Sequence, residues 1–257
     1  MTVALMPCLT ASNLILERSI NNYSMTGYWV IFGAFMLLSM IISGVLKSKF
    51  AKYSKIPLGY NNLSGKEIAE RMLREHGVGG VQVVSVPGRL SDHYNPLNKT
   101  VNLSPEVYNG RSIAAAAVAA HECGHAIQHA NQYAWLNFRS ALVPVQNISA
   151  KVLNIIFIGM FLGVFAVKGL FSLDTALMVI IAAYAVFTLI AFVTLPVEIN
   201  ASQRALAWLE NAGVTNGQTH DKAKDALRWA AYTYVVAALS SLASLLYFVA
   251  MLAGRRN

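Results

Sequence analysis

The chain has 257 residues, of which 56% are hydrophobic and only 12% charged, with a mean hydropathy of +0.48 and a formal net charge of +8. An ordinary soluble domain carries about 25% charged residues, so the composition excludes a disordered chain, a nucleic-acid-binding arm and a plain soluble enzyme. Two cysteines, Cys8 and Cys123, form no CxxC pair and no disulfide framework.

In chain order, residues 1–27 lack the basic start and long apolar core of a signal peptide and read as a short extension, with no function assigned to Cys8. Residues 28–46 are uncharged over 19 residues, enough to cross about 30 Å of hydrocarbon as a first transmembrane helix. Lys47, Lys49, Lys52 and Lys55 follow directly. Residues 47–151 then read as a small α+β unit. Ser64-Gly65-Lys66-Glu67 has the form of a capping box, opening a helix with Ile68, Met72 and Leu73 on one face and a stop at Gly77. Val81 to Val86 reads as a strand, Pro87-Gly88 as a turn and Lys99 to Leu103 as a second strand. Ser104-Pro105-Glu106 looks like a further helix start. Ser112 is a plausible N-cap for an alanine-rich helix beginning at Ile113 and ending near Asn131-Gln132.

Residues 152–195 supply a second and a third span. The second is apolar but for Lys168, which can snorkel to an interface, and the third is uncharged from Thr175 to Leu195. Residues 196–228 return to polar composition, and 229–257 hold a fourth span with Trp229, Tyr232 and Tyr234 as an aromatic belt. The expected architecture is a mainly α membrane protein with about four transmembrane helices. Twelve of the 20 Lys and Arg residues lie in 47–151 and four more in 196–228. The positive-inside rule therefore places both polar regions in the cytoplasm, although Arg255 and Arg256 argue mildly the other way.

The chemistry lies in His121-Glu122-Cys123-Gly124-His125, an H-E-x-x-H pattern inside the alanine-rich helix. Spacing by four puts both imidazoles on one face, where they can share one Zn²⁺, with Glu122 beside them as a proton acceptor. Cys123 points elsewhere and reads as a packing residue; His129 continues the face one turn on and is at best a supporting group. A catalytic zinc needs a third protein ligand. His220, in a polar loop, looks like a surface histidine; His93 precedes the metal helix; Glu198 lies where a helix leaves the membrane. Two spans separate His125 from Glu198, which returns the chain to the same membrane face. A carboxylate so near the bilayer is costly without a cation. Glu198 is therefore the favoured ligand, against the plainer reading of a helix N-terminal charge stabilised by the dipole.

Three separated segments, Pro87 to Tyr94, His121 to His129, and Leu195 to Ser202, together resemble the YugP-like membrane zinc metallopeptidases of bacteria, over about Phe50 to Met251. More distantly the chain is similar to the HtpX-like gluzincins, whose third zinc ligand comes from a Glu-x-x-Ala-Asp helix. Glu198-Ile199-Asn200-Ala201-Ser202 fits that pattern except at Ser202, which cannot supply the carboxylate found there in those enzymes. The resemblance implies a gluzincin-like cytoplasmic unit, Zn²⁺ as cofactor, and an edge strand within Ser91 to Leu103 that holds substrate backbone, with Asn95 and Leu103 among its contacts. It also implies a multi-pass protein of the bacterial cytoplasmic (inner) membrane.

The expected activity is zinc-dependent endopeptidase chemistry: His121, His125 and Glu198 hold the metal and Glu122 moves the proton. His93, Tyr94 and Arg204 are candidates for stabilising the oxyanion, Arg204 being otherwise a surface or headgroup arginine. The partners expected are a peptide or membrane-protein substrate and the lipid bilayer, with no nucleic acid. Gly159-x-x-x-Gly163 permits close helix packing and so an oligomer. The rivals are a non-catalytic membrane adaptor with a structural zinc, an intramembrane protease with its motif inside a span, and a metal transporter, which would want several ionisable groups within the spans.

Overall fold

The structure, a computed structural model, describes residues 25–58, 62–161 and 173–256. Most of the N-terminal extension, together with Lys168 and Gly163, lies outside these residues. The described chain is mostly helical with one small sheet, and four of its helices are long and apolar enough to cross a membrane.

Helix α1, Met25–Tyr53, carries the first uncharged run and continues through the lysines after it. Trp29, Val30, Met36, Leu37, Met40 and Ile41 are all exposed on it, a surface suited to lipid rather than water. Helix α2, Gly65–Glu75, begins with the full capping box. The Glu67 N–H donates to Ser64 Oγ at 3.3 Å, and the Ser64 N–H donates to Glu67 Oε2 at 2.7 Å. Gly77, at φ +66°, follows its end in the left-handed region that favours glycine.

Three strands follow: β1 (Gln82–Ser85), β2 (His93–Asn95) and β3 (Thr100–Leu103), in the order β1-β3-β2. β1 runs parallel to the central β3, and β2 antiparallel to it with Tyr94 opposite Val101. The segment expected as one edge strand from Ser91 to Leu103 thus divides into a short edge strand and a buried central one. At three residues, β2 is too short to show a period-2 pattern, and its Asn95-Pro96 end reads as a turn.

After the single turn α3, Pro105–Tyr108, the chain enters α4, Ile113–Ala130. The Ala115 N–H donates to Ser112 Oγ at 3.3 Å, completing the predicted cap. The alanines of α4 are small enough to let neighbours close in on nearly every side, and Ala114 to Ala117, Ala119 and Ala120 are all buried. α4 is accordingly the centre of a core with Ile68, Met72, Val101, Leu103, Trp208 and Leu209.

The last three helices are α5 (Ala134–Phe161), α6 (Leu173–Asn211) and α7 (Gly217–Arg256). Each runs past the borders suggested by composition. α5 begins 18 residues before the expected second span and contains Pro144; α6 continues through Pro196. Composition marks where a chain can meet lipid, whereas a helix persists for as long as its turns find packing partners. Glu198 is therefore a mid-helix residue, and the N-terminal dipole reading has no basis.

The chain divides into two compact units, to each of which α1, α5, α6 and α7 contribute. In one, to which the described residues 25–37, 144–161, 173–189 and 238–256 belong, Tyr28, Leu153, Leu177, Ile180 and Phe248 pack together, and the Tyr28 and Tyr184 hydroxyls hydrogen-bond at 2.7 Å. The other, formed by 38–143 and 190–237, holds the sheet, α2 to α4 and the residues discussed next.

Candidate metal centre

Helix α4 presents His121 and His125 one turn apart, with ring centroids 4.8 Å from each other and planes nearly perpendicular. Helix α6 presents Glu198, whose Oε2 lies 3.3 Å from His121 Nε2 and 3.5 Å from His125 Nε2. Nitrogen and oxygen donors from all three lie within 4.8 Å of one another. Glu198 is buried, and Oε2 has no hydrogen-bond partner. A buried carboxylate oxygen left without a donor and flanked by two imidazole nitrogens is expensive in itself. A divalent cation with a preference for N and O ligands fits this donor set.

The other ring nitrogens are occupied. His121 Nδ1 lies 3.1 Å from Ser202 Oγ, so the hydroxyl stands behind the ring. His125 Nδ1 lies 3.1 Å from Gln128 Oε1. The Gln128 amide nitrogen donates to Val197 O at 2.8 Å and to Asn200 Oδ1 at 3.0 Å. This fixes the orientation of the amide, so His125 Nδ1–H must donate to Oε1, and the Nε2 lone pair is left facing Glu198. Burial disfavours a charged His125, but contact with Glu198 and the charge of Glu122 outweigh it and raise its pKa. The site asks for positive charge. Gln128→Leu, which keeps the volume but removes this link, is expected to weaken zinc binding by about 10–100-fold in a competition titration.

Close approach of α4 and α6 depends on Gly124. A Cβ there would lie 2.6 Å from the carbonyl oxygen and 3.0 Å from Cα of Ala201, one turn beyond Val197. Since that atom is backbone, the helices would have to separate. Gly124→Ala is expected to cost about 1–3 kcal/mol in thermal stability and to lower zinc affinity, both measurable on detergent-purified protein.

Glu122 is buried, and its Oε2 accepts the Tyr94 N–H of β2 at 3.0 Å. The Tyr94 hydroxyl meets His129 Nδ1 at 2.8 Å, which makes His129 a support for Tyr94. Burial raises the pKa of the Tyr94 phenol, keeping it protonated. His93 is exposed, its Nδ1 2.7 Å from Ser91 O. His93, Tyr94, His129 and the His121, His125 and Glu198 cluster line a cavity of about 590 Å³.

Four other sequence candidates fall elsewhere. Arg204 does not line that cavity; its Nε donates to Asn200 Oδ1 at 2.8 Å, which extends the chain from His125 through Gln128. Asn95 Oδ1 accepts the Leu97 N–H at 2.9 Å and so shapes the turn after β2. Leu103 is fully buried in the central strand, with no surface to offer a substrate. His220 contacts Thr215 and Glu210. Cys123 is fully buried with its thiol toward Ala69 O, and burial together with the Glu122 charge pushes its pKa up, as suits a packing residue.

Three cavity residues were not singled out from sequence. Arg139 places Nη1 3.9 Å from Glu198 Oε1. Tyr234 lines the cavity within electrostatic reach of Glu198, Glu122 and Arg139; its place in an aromatic belt concealed it. Asp92 accepts hydrogen bonds from the Ser104 N–H at 2.7 Å and its hydroxyl at 3.2 Å, while burial raises its pKa. Arg139, the one charge between Tyr133 and Ala150, was the readable signal among them.

The fold and the three-residue cluster together define a membrane protein with a candidate metal centre. Residues 28–253 match the model of a family described as "putative neutral zinc metallopeptidase", and the chain belongs to that family. It is also 40% identical over 213 residues to the "Putative membrane protease YugP" of Bacillus subtilis (strain 168), covering 82% of this chain and 90% of that protein. No solved structure matches the chain.

Proposed function

We propose that this protein is a zinc-dependent endopeptidase of the bacterial cytoplasmic membrane, cleaving peptide or membrane-protein substrates at the cytoplasmic face. The observation that carries this reading is the unpartnered, buried Glu198 Oε2 between two imidazole Nε2 atoms, with Glu122 adjoining them in an open cavity. His121, His125 and Glu198 would hold the ion. Zn²⁺ in such a site supplies a Lewis acid and a water whose pKa falls to about 7.

The remaining roles belong to the chain. The Tyr94 N–H points away from β3 to Glu122. Its carbonyl shares that direction in an antiparallel pair, so it faces the free edge and can accept a hydrogen bond from a substrate strand. The Tyr94 amide also holds the Glu122 carboxylate toward the histidines, where it takes the proton from the attacking water and returns it to the leaving amine nitrogen. Tyr234 and Arg139 are the cavity donors positioned to meet negative charge developing on the carbonyl oxygen. Arg204 acts behind His125, through Asn200 and Gln128, and not on the substrate. The gluzincin-like unit faces the cytoplasm because the basic residues cluster in 47–151 and 196–228.

The test is zinc content and casein cleavage by detergent-purified protein. The expected result is about one zinc per chain, cleavage lost on chelation and restored by zinc. Full activity after complete metal removal would overturn the reading.

A further inference from the structure

A second, smaller cavity adjoins the same cluster. Its volume is about 150 Å³, and it shares Asp92, His121, Glu122, Glu198 and Tyr234 with the larger cleft. Beyond these residues and Ser202 its walls are apolar: Leu46 and Phe50 from α1, Leu90, Val118 from α4, and Ala226, Leu227, Ala230 and Ala231 from α7. All belong to the unit that carries the sheet and α4.

We propose that this recess is the pocket selecting the substrate, by receiving the aliphatic side chain, of leucine or methionine size, of a residue flanking the scissile bond. The inference rests on the endopeptidase reading. A scissile carbonyl held over the His121–Glu198 cluster brings the side chains of the two flanking residues within a few bonds of it, and the recess opens from the same residues. An apolar cavity of about 150 Å³ accommodates a molecule the size of benzene. A charged side chain reaching past the shared residues and Ser202 would lose its hydration against Leu46, Phe50, Val118 and the α7 alanines, which offer it no partner. The alanines Ala226, Ala230 and Ala231 set the depth: they leave room for an aliphatic chain, and any larger residue in their place would fill it. α1 therefore contributes to specificity through Leu46 and Phe50, although its sequence signals only a membrane anchor.

Cleavage of a randomised peptide library, with sites read by mass spectrometry, tests the proposal on full-length protein in detergent. The wild type is expected to prefer Leu and Met at one flanking position by about tenfold or more over Gly, Asp or Lys, the range a hydrophobic pocket delivers. Ala230→Phe should abolish that preference in favour of Gly and Ala while zinc content stays at the wild-type value. Should Ala230→Phe fail to fold, Leu46→Ala, which enlarges the recess, should shift the preference toward Phe and Tyr. Zinc-dependent cleavage with a flat profile at both flanking positions, or a profile unchanged in the variant that folds, would overturn the pocket and leave the peptidase standing. No cleavage of any peptide by the zinc-loaded wild type would overturn both.

Discussion

Glu122→Gln is expected to keep zinc at the wild-type stoichiometry and to lower peptide cleavage by about 10²–10⁴-fold, the contribution of a positioned general base. The substitution preserves shape and volume, and Gln can still offer an oxygen to the Tyr94 N–H, which Glu122 now receives at 3.0 Å. What it removes is the ability to accept a proton. Because Glu122 is not among the three residues whose donors converge, metal content should not follow activity. Equal cleavage by the two forms would refute Glu122 as the base, and zinc retained without cleavage by either form would favour a membrane adaptor with a structural zinc, which has no need of a carboxylate beside its first histidine. Zinc analysis and cleavage on the same preparation separate these outcomes.

Glu198→Ala is expected to lose zinc, with affinity reduced by at least about 100-fold, beyond the 10–100-fold typical of a group that only orients a ligand. The two histidines would remain on α4, but the oxygen 3.3 and 3.5 Å from their Nε2 atoms would be gone. A ligand that binds only the folded state stabilises it by about 2.7 kcal/mol at a hundredfold excess over Kd, so added zinc should raise the melting temperature of the wild type and not of this variant. Full retention of zinc by Glu198→Ala would mean that a different residue is the third ligand. The comparison with Gln128→Leu grades the two effects: a ligand should cost more than the residue that fixes a ligand's ring.

The difference between those two residues shows how far the site was legible in the chain. His121, Glu122 and His125 occupy one turn of a strongly helical stretch, where spacing alone determines facing. Glu198 could be suggested because the number of intervening spans is even and its charge would otherwise be stranded near lipid. Gln128 lies three residues past His125 on a neighbouring face, but its function is to meet Val197 and Asn200 on another helix, and no local pattern encodes that meeting. Arg204, with a charge that invited a catalytic role, turns instead to Asn200. Tyr234 reads from sequence as an interface anchor at a span boundary, and its place in the cavity wall is set by the fold.

The same division holds for the fold. The Ser64 capping box, the Ser112 cap, the alanine-rich helix and four apolar stretches are written in near-neighbour chemistry and hydrophobic length, and a reader of the sequence alone can recover them. The extent of the long helices, the three-residue β2, the Gly124–Ala201 approach and the recess between α1, α4 and α7 depend on residues far apart in the chain. Their energies are packing, backbone proximity and the exclusion of water, quantities that exist only once distant segments touch. Local spacing thus selected the histidines and Glu122, while tertiary contact chose the oxygen that faces them, the groups that orient them, and the cavity beside them.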